Sequence, residues 1–184
     1  SLHDALPISD YPLTLAEAKA QCRVDSDDEN TLLNSLIAAA TDYVEQYTGR
    51  SLMAQTWKLT LDEFSNAILL PKGPVQSVSQ VQYFDAEGVS QTVLSGDFTL
   101  DNTSDPAWVV VNTDASWPGT LAGVNMVSVT FVAGYSPFPS AIKQAILLLI
   151  GQWYDNRADA TDRPMIAMPN AVAALLTNYR SFAF

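Results

Sequence analysis

The chain has little of what most catalysis needs. It contains one histidine, His3, and one cysteine, Cys22, so a Ser–His–Asp or Cys–His arrangement has no credible base. A zinc site needs several closely spaced Cys or His ligands, which the chain cannot supply. A single cysteine excludes an intramolecular disulfide framework and fits a reducing compartment. Cys22 itself falls on the apolar side of a predicted helix and reads as a small buried hydrophobe. Glycines are scattered singly between predicted strands, at Gly73, Gly88, Gly96, Gly119, Gly123 and Gly134, so turns account for them and no phosphate-cradling loop is present. The longest apolar run, Ala145–Ile150, is far short of the roughly 20 residues of a membrane span.

Basic residues are scarce too. Nine Lys and Arg stand against 20 Asp and Glu, a net charge of −11. Residues 1–50 carry three basic and nine acidic side chains, residues 51–139 two and eight, and residues 140–184 four and three. Clustered cations are what hold duplex DNA by counterion release, so nucleic acid near this protein passes by rather than docks. The neutral-to-basic C-terminal part is the better place for an acidic protein partner. A charged content of 16% is low and fits surface buried against partners, while 48% hydrophobic residues in 184 suffice for a core without staples.

The layout is more informative than any motif. Leu13-Thr14-Leu15-Ala16-Glu17 opens a short helix, with Thr14 as cap and Glu17 reaching back to it. The acidic cluster Asp25-Ser26-Asp27-Asp28-Glu29 starts the next helix, where the dipole favours negative charge. That helix, Asn30–Tyr47, keeps Leu32, Leu33, Leu36, Ile37, Ala40, Tyr43, Val44 and Tyr47 on one face, and Gly49 suits a left-handed cap. The period then changes to two. Strands are predicted around Trp57–Leu61, Ala67–Leu70, Val78–Phe84, Val89–Leu94, Phe98–Leu100, Trp108–Val111 and Val124–Val132, separated by turn residues. Close turns between short strands argue for an antiparallel sheet or small sandwich. Ser140 is expected to cap a second long helix, Ser140–Asn156, apolar almost all round. A loop over Asn156–Met168 leads to a last short helix from Pro169-Asn170.

The fold class is therefore α+β: two N-terminal and two C-terminal helices with an antiparallel β subdomain between them. The expected divisions are a disordered or non-native leader at 1–10, a helical part at 11–54, the β subdomain at 55–135 and a second helical part at 136–184.

Two carboxylate clusters have plain explanations. The run Asp25–Glu29 lacks the glycine and distal glutamate of a calcium loop, and helix N-capping explains it without a ligand. Asp62-Glu63 sits at a strand end and reads as a solvated turn rather than a glycosidase pair. The helix endings stand out more. Tyr43 and Tyr47 precede Arg50, Trp153 and Tyr154 precede Arg157, and Tyr179 precedes Arg180. Each places an amphipathic ring and a cation at a helix C-terminus. Local capping and packing explain this; so does contact between subunits, where Tyr, Trp and Arg dominate.

The ordered set Pro12-Leu13-Thr14-Leu15-Ala16-Glu17-Ala18-Lys19, Tyr43-Val44-Glu45-Gln46-Tyr47-Thr48-Gly49-Arg50, Gln55-Thr56-Trp57, Leu69-Leu70-Pro71, Val81-Gln82-Tyr83-Phe84-Asp85-Ala86-Glu87-Gly88, Trp117-Pro118, Val132-Ala133-Gly134-Tyr135 and Trp153-Tyr154-Asp155-Asn156-Arg157 resembles a known family. It is similar to the head–tail connector (adaptor, or head-completion) proteins of long-tailed double-stranded DNA phages, prophages and gene-transfer agents. The resemblance spans residues 11–181. It implies a structural protein without enzymatic activity or cofactor, placed in the virion neck after assembly in the host cytoplasm. It also implies a ring, twelvefold in most of the family, that docks beneath the portal protein, extends the DNA channel and presents a platform for the stopper or tail-completion protein. The competing reading is a soluble module whose β unit binds a ligand or glycan through Trp57, Tyr83, Trp108 and Trp117.

Overall fold

The computed structural model describes residues 2–4, 11–156 and 169–181. Their elements run β1 (Leu2–Asp4), α1 (Leu15–Cys22), α2 (Asn30–Thr48), β2 (Gln55–Leu61), β3 (Ala67–Leu70), β4 (Val75–Phe84), β5 (Ser90–Thr92), β6 (Phe98–Asp101), β7 (Ala107–Val111), β8 (Val127–Ala133), α3 (Ser140–Asp155) and α4 (Asn170–Leu176), with a final 3₁₀ turn at Thr177–Tyr179. The mixed α+β class is as expected, with helices at both ends and sheet between. Two compact units result: of the described residues, β1 and Ala54–Tyr135 form one, and residues 11–53 and 136–181 form the other.

In the helical unit, α3 packs against α1, α2 and α4. Ile142, Ala145, Ile146, Leu149 and Ile150 are buried along it, which is why its sequence is apolar over so much of its circumference. Leu147 and Leu148 are only half-buried, so the helix is not enclosed all round. On α2 the buried stripe is Leu33, Ile37, Ala40, Thr41, Val44 and Thr48. The hydroxyls of Thr41 and Thr48 donate to the Ile37 and Val44 carbonyls at 2.7 Å, which makes their burial tolerable. Leu32 and Tyr43, expected on the core face, are instead 37% and 38% exposed. They lie on the flank of the stripe, which single-face periodicity does not separate from its centre.

Helix ends show which local rules held. Thr14 and Glu17 form the reciprocal cap of α1: Glu17 N–H donates to Thr14 Oγ1 at 3.3 Å, and Thr14 N–H donates to Glu17 Oε2 at 3.0 Å. Gly49 ends α2 at φ 72°, where a Cβ is strained. At the other two ends the expectation fails. No side chain of the acidic cluster caps α2; Glu29 occupies the cap position without a capping bond from its side chain. Asp27 instead accepts Lys19 Nζ at 2.6 Å and Asn30 Nδ2 at 3.1 Å, and Glu29 accepts the Tyr154 hydroxyl. The cluster was drawn away from the dipole by real donors on α1 and α3. Pro139, not Ser140, is the cap residue of α3; its extended backbone, φ −68° and ψ 129°, sets the turn into the helix.

The β unit is a two-sheet sandwich, all antiparallel, with strand orders β1-β2-β8-β4-β5 and β3-β7-β6. Strand β8 is the middle strand of the larger sheet, and its alternate residues Val127, Val129, Phe131 and Ala133 are all buried. Val129, Phe131 and Ala133 share one core with Ile68, Leu70 and Val109 of the smaller sheet. Strand β4 runs longer than expected, from Val75, and breaks register between Val75 and Ser77 and again between Val78 and Gln80. Such bulges bend a long strand and blur its period-two signal. Leu2–Asp4, read as part of a leader without regular structure, pairs with β2 at the register Leu2↔Leu59. The outer backbone groups of β2 are otherwise open to pairing, whatever the side chains are. The remainder of 5–10 lies outside the described residues.

Candidate assembly surfaces

Seven of the eight candidate contact residues are described, and six of them pair with one another across helix ends. Tyr43 of α2 meets Trp153 of α3 edge to face, with ring centroids 5.9 Å apart and planes at 84°. Such a pair adds about 0.5–1.5 kcal/mol beyond burial. Tyr154 donates its hydroxyl to Glu29. Arg50 is 9% exposed, and its Nε donates to the Tyr179 carbonyl at 2.6 Å. Arg180 in turn lies over the Tyr47 ring, 5.1 Å from the centroid.

The pairing is thus exchanged: each cation serves the aromatic-rich segment of the other helix end, not its own. One further backbone bond closes the same junction, Ser181 N–H to the Thr48 carbonyl at 2.7 Å. Sequence spacing could not reveal this, since Arg50 and Tyr179 are 129 positions apart. A charge-assisted bond to a buried guanidinium is worth about 1.5–3 kcal/mol, against about 0.5–1 for an exposed cation–π contact. Arg50 is therefore the anchor of this junction, and the open sides of Tyr43 and Arg180 are what it leaves toward solvent. Arg157 and the loop expected after Asn156 lie outside the described residues.

The first helix is tied in by charge. Lys143 Nζ of α3 lies 2.5 Å from Glu17 Oε1. With the Lys143 bond and the Thr14 backbone N–H both favouring the carboxylate, the Glu17 pKa falls to about 2. Cys22, at the end of α1, is half-buried.

In the β unit Trp57, Phe64, Tyr83, Phe98 and Trp117 pack against the core. Phe64 and Trp117 stack with centroids 4.6 Å apart and planes within 3°, and Phe64 also meets Tyr83 at 5.8 Å. Trp57 lies beneath Lys72 Nζ at 5.3 Å. Trp108 alternates with the buried Ala107 and Val109, which puts it on the opposite face of its strand. The four aromatics considered for a ligand surface therefore do not form one open face. Asp62 accepts the Asn125 N–H at 2.9 Å, a bond between two segments distant in sequence. Among the described residues no three His, Cys, Asp or Glu side chains are grouped to hold a metal ion. No described helix is long and apolar enough to cross a membrane.

Residues 12–106 match the family of phage gp6-like head-tail connector proteins. The chain belongs to this connector family. Solved structures agree over the full length. The chain is 26% identical to a protein in the neck of an empty gene transfer agent particle computed with C6 symmetry, covering 100% of this chain and 97% of that one at a TM-score of 0.77. A chain in the virion of a native gene transfer agent particle matches at 26% identity, 100% and 96% coverage and a TM-score of 0.76. One in the neck of the native particle computed with C12 symmetry matches at 26%, 100% and 97%, with a TM-score of 0.70. No curated protein matches the sequence. The connector's role is structural: it joins head to tail. The family and these neighbours are parts of particles, not enzymes.

Proposed function

We propose that the connector works as a ring in the particle neck, sitting beneath the portal protein, continuing the DNA channel and offering a platform to the stopper or tail. The observation that carries this is the full-length likeness, at 26% identity, to proteins in necks computed with C6 and C12 symmetry. Cyclic symmetry requires each subunit to use two different patches. One patch is assigned to the outer flank of α2 at Leu32 and Tyr43, both exposed apolar side chains. The other is assigned to the C-terminal junction, where Tyr179 meets the Arg50 anchor and Arg180 lies over Tyr47. Tyr47, Trp153 and Tyr154 support these patches from within the subunit. An excess of carboxylates lets DNA slide through such a ring rather than adhere to it. Twelve copies is the number proposed.

Negative-stain microscopy and light scattering of the purified protein, alone and mixed with the portal of the same particle, test the reading. Rings, or a stable co-complex with the portal, are expected. Removing residues 158–184 is expected to weaken portal binding, and unchanged binding would exclude that segment as the portal contact.

A further inference from the structure

Helix α1 is attached to the helical unit differently from its neighbours. Six side chains of α2 and five of α3 are buried, but on α1 only Ala18 is. Burial of apolar surface, which holds most helices in place, therefore gives α1 little. Charge holds it instead. Glu17 pairs with Lys143 of α3 at 2.5 Å, and Lys19 pairs with Asp27 of the following turn at 2.6 Å. Both pairs are open to solvent: the Glu17 and Lys143 side chains are 38% and 37% exposed, and that of Asp27 is 88% exposed. Such pairs hold weakly and are screened by salt.

Two features act against the closed position. The end of α1 meets α3 across a cleft of about 470 Å³, with Gln21 and Cys22 on one side and Leu148, Gly151 and Gln152 on the other. Gln152 keeps its Oε1 buried with no hydrogen-bond partner among the described residues, a cost borne by the closed state. The chain also leaves α1 through Arg23 at φ 56° and ψ 42°, a left-handed conformation that a β-carbon disfavours. We propose that α1 is a strap, released from α3 while α2 and α3 stay packed together. Ionic conditions then select between two surfaces of the helical unit, one covered by α1 and one with the Lys143–Asp155 side of α3 bare. An eight-residue helix does not persist on its own, so release also melts it. The inference stands apart from the ring reading and does not rest on it.

Amide hydrogen exchange of the full-length protein, followed by mass spectrometry, tests this. Peptides covering α1 are expected to exchange about tenfold or more faster than those covering the buried stretch of α3. Raising sodium chloride from low to several hundred millimolar is expected to speed α1 exchange several-fold and to leave α3 nearly unchanged. Lys143→Met is expected to speed α1 exchange several-fold and to weaken its response to salt, again without moving α3. Arg23→Gly is expected to slow α1 exchange several-fold, because glycine takes the left-handed turn without strain. Exchange of α1 at the same rate as α3 overturns the inference, since α1 then opens only when the whole unit does. Exchange of α1 that neither salt nor Lys143→Met alters also overturns it, since charge then does not hold the strap.

Discussion

At the scale of single residues, Arg50 and Tyr43 were read from the sequence as the same kind of feature, and the structure separates them. Arg50 is buried and committed to the Tyr179 carbonyl, whereas Tyr43 keeps more than a third of its surface open beside Trp153. Replacing Arg50 with Ala is expected to cost about 2 kcal/mol, since the bond is lost and a carbonyl is left short of a partner. Tyr43→Ala is expected to cost about 1 kcal/mol through the lost ring pair, yet to weaken assembly more than Arg50→Ala does. Urea denaturation gives the first quantity and mass photometry of rings the second. Equal effects on assembly per unit of stability lost would remove Tyr43 from the interface. Both residues were legible as candidates because their chemistry is. Their partners were not, because burial and a bond across 129 positions depend on how the chain returns.

At the scale of elements, α1 is held by its reciprocal cap and by one ion pair to α3. The cap could be read from the spacing of Thr14 and Glu17, a local rule that needs no tertiary contact. The ion pair could not. Glu17 has its pKa lowered from 4.5 to about 2 in the folded protein. A depressed carboxylate pKa means the folded state binds its proton less readily than the unfolded chain does. The resulting stabilisation is fully present above about pH 4.5 and is lost as pH falls toward 2. Glu17→Gln is therefore expected to flatten the dependence of stability on pH across that window and to leave its slope at neutral pH unchanged. Thermal melts at successive pH values measure this; an identical acid limb in the variant would show that Glu17 is not the titrating group. The acidic turn before α2 teaches the reverse lesson. Asp27 and Glu29 obeyed available donors, Lys19 and Tyr154, rather than the dipole that sequence rules invoke.

At the scale of the whole molecule, the β unit is suited to insertion because its two ends are neighbours. Gln55 of β2 pairs with Ala133 of β8, so the chain leaves and returns to the helical part through adjacent strands. Paired residues of this kind have Cα atoms about 4.5–5.5 Å apart, a gap that a short loop between α2 and α3 also spans. The β unit carries its own core, and the helices carry theirs. Residues 54–135 produced alone are expected to fold cooperatively, and the protein with that segment replaced by a short Gly-Ser linker is expected to keep its helices. Circular dichroism and dispersed amide resonances check both. A disordered spectrum from either piece would mean that the two cores are not independent.

Hydrophobic period, turn chemistry and capping residues are local properties, so the sequence by itself determined the helices, most of the strands, the α+β class and the shortage of catalytic groups. The ordered motifs also carried the family. Tertiary structure decided the rest: two facing sheets rather than one, the bulges of β4, the exchange of Arg50 and Arg180 between helix ends, and the open flank at Leu32 and Tyr43. Each of these depends on which distant segment arrives opposite a given side chain. Periodicity reports that a residue can be buried; only the neighbour that covers it, or fails to, settles whether it belongs to the core or to a partner.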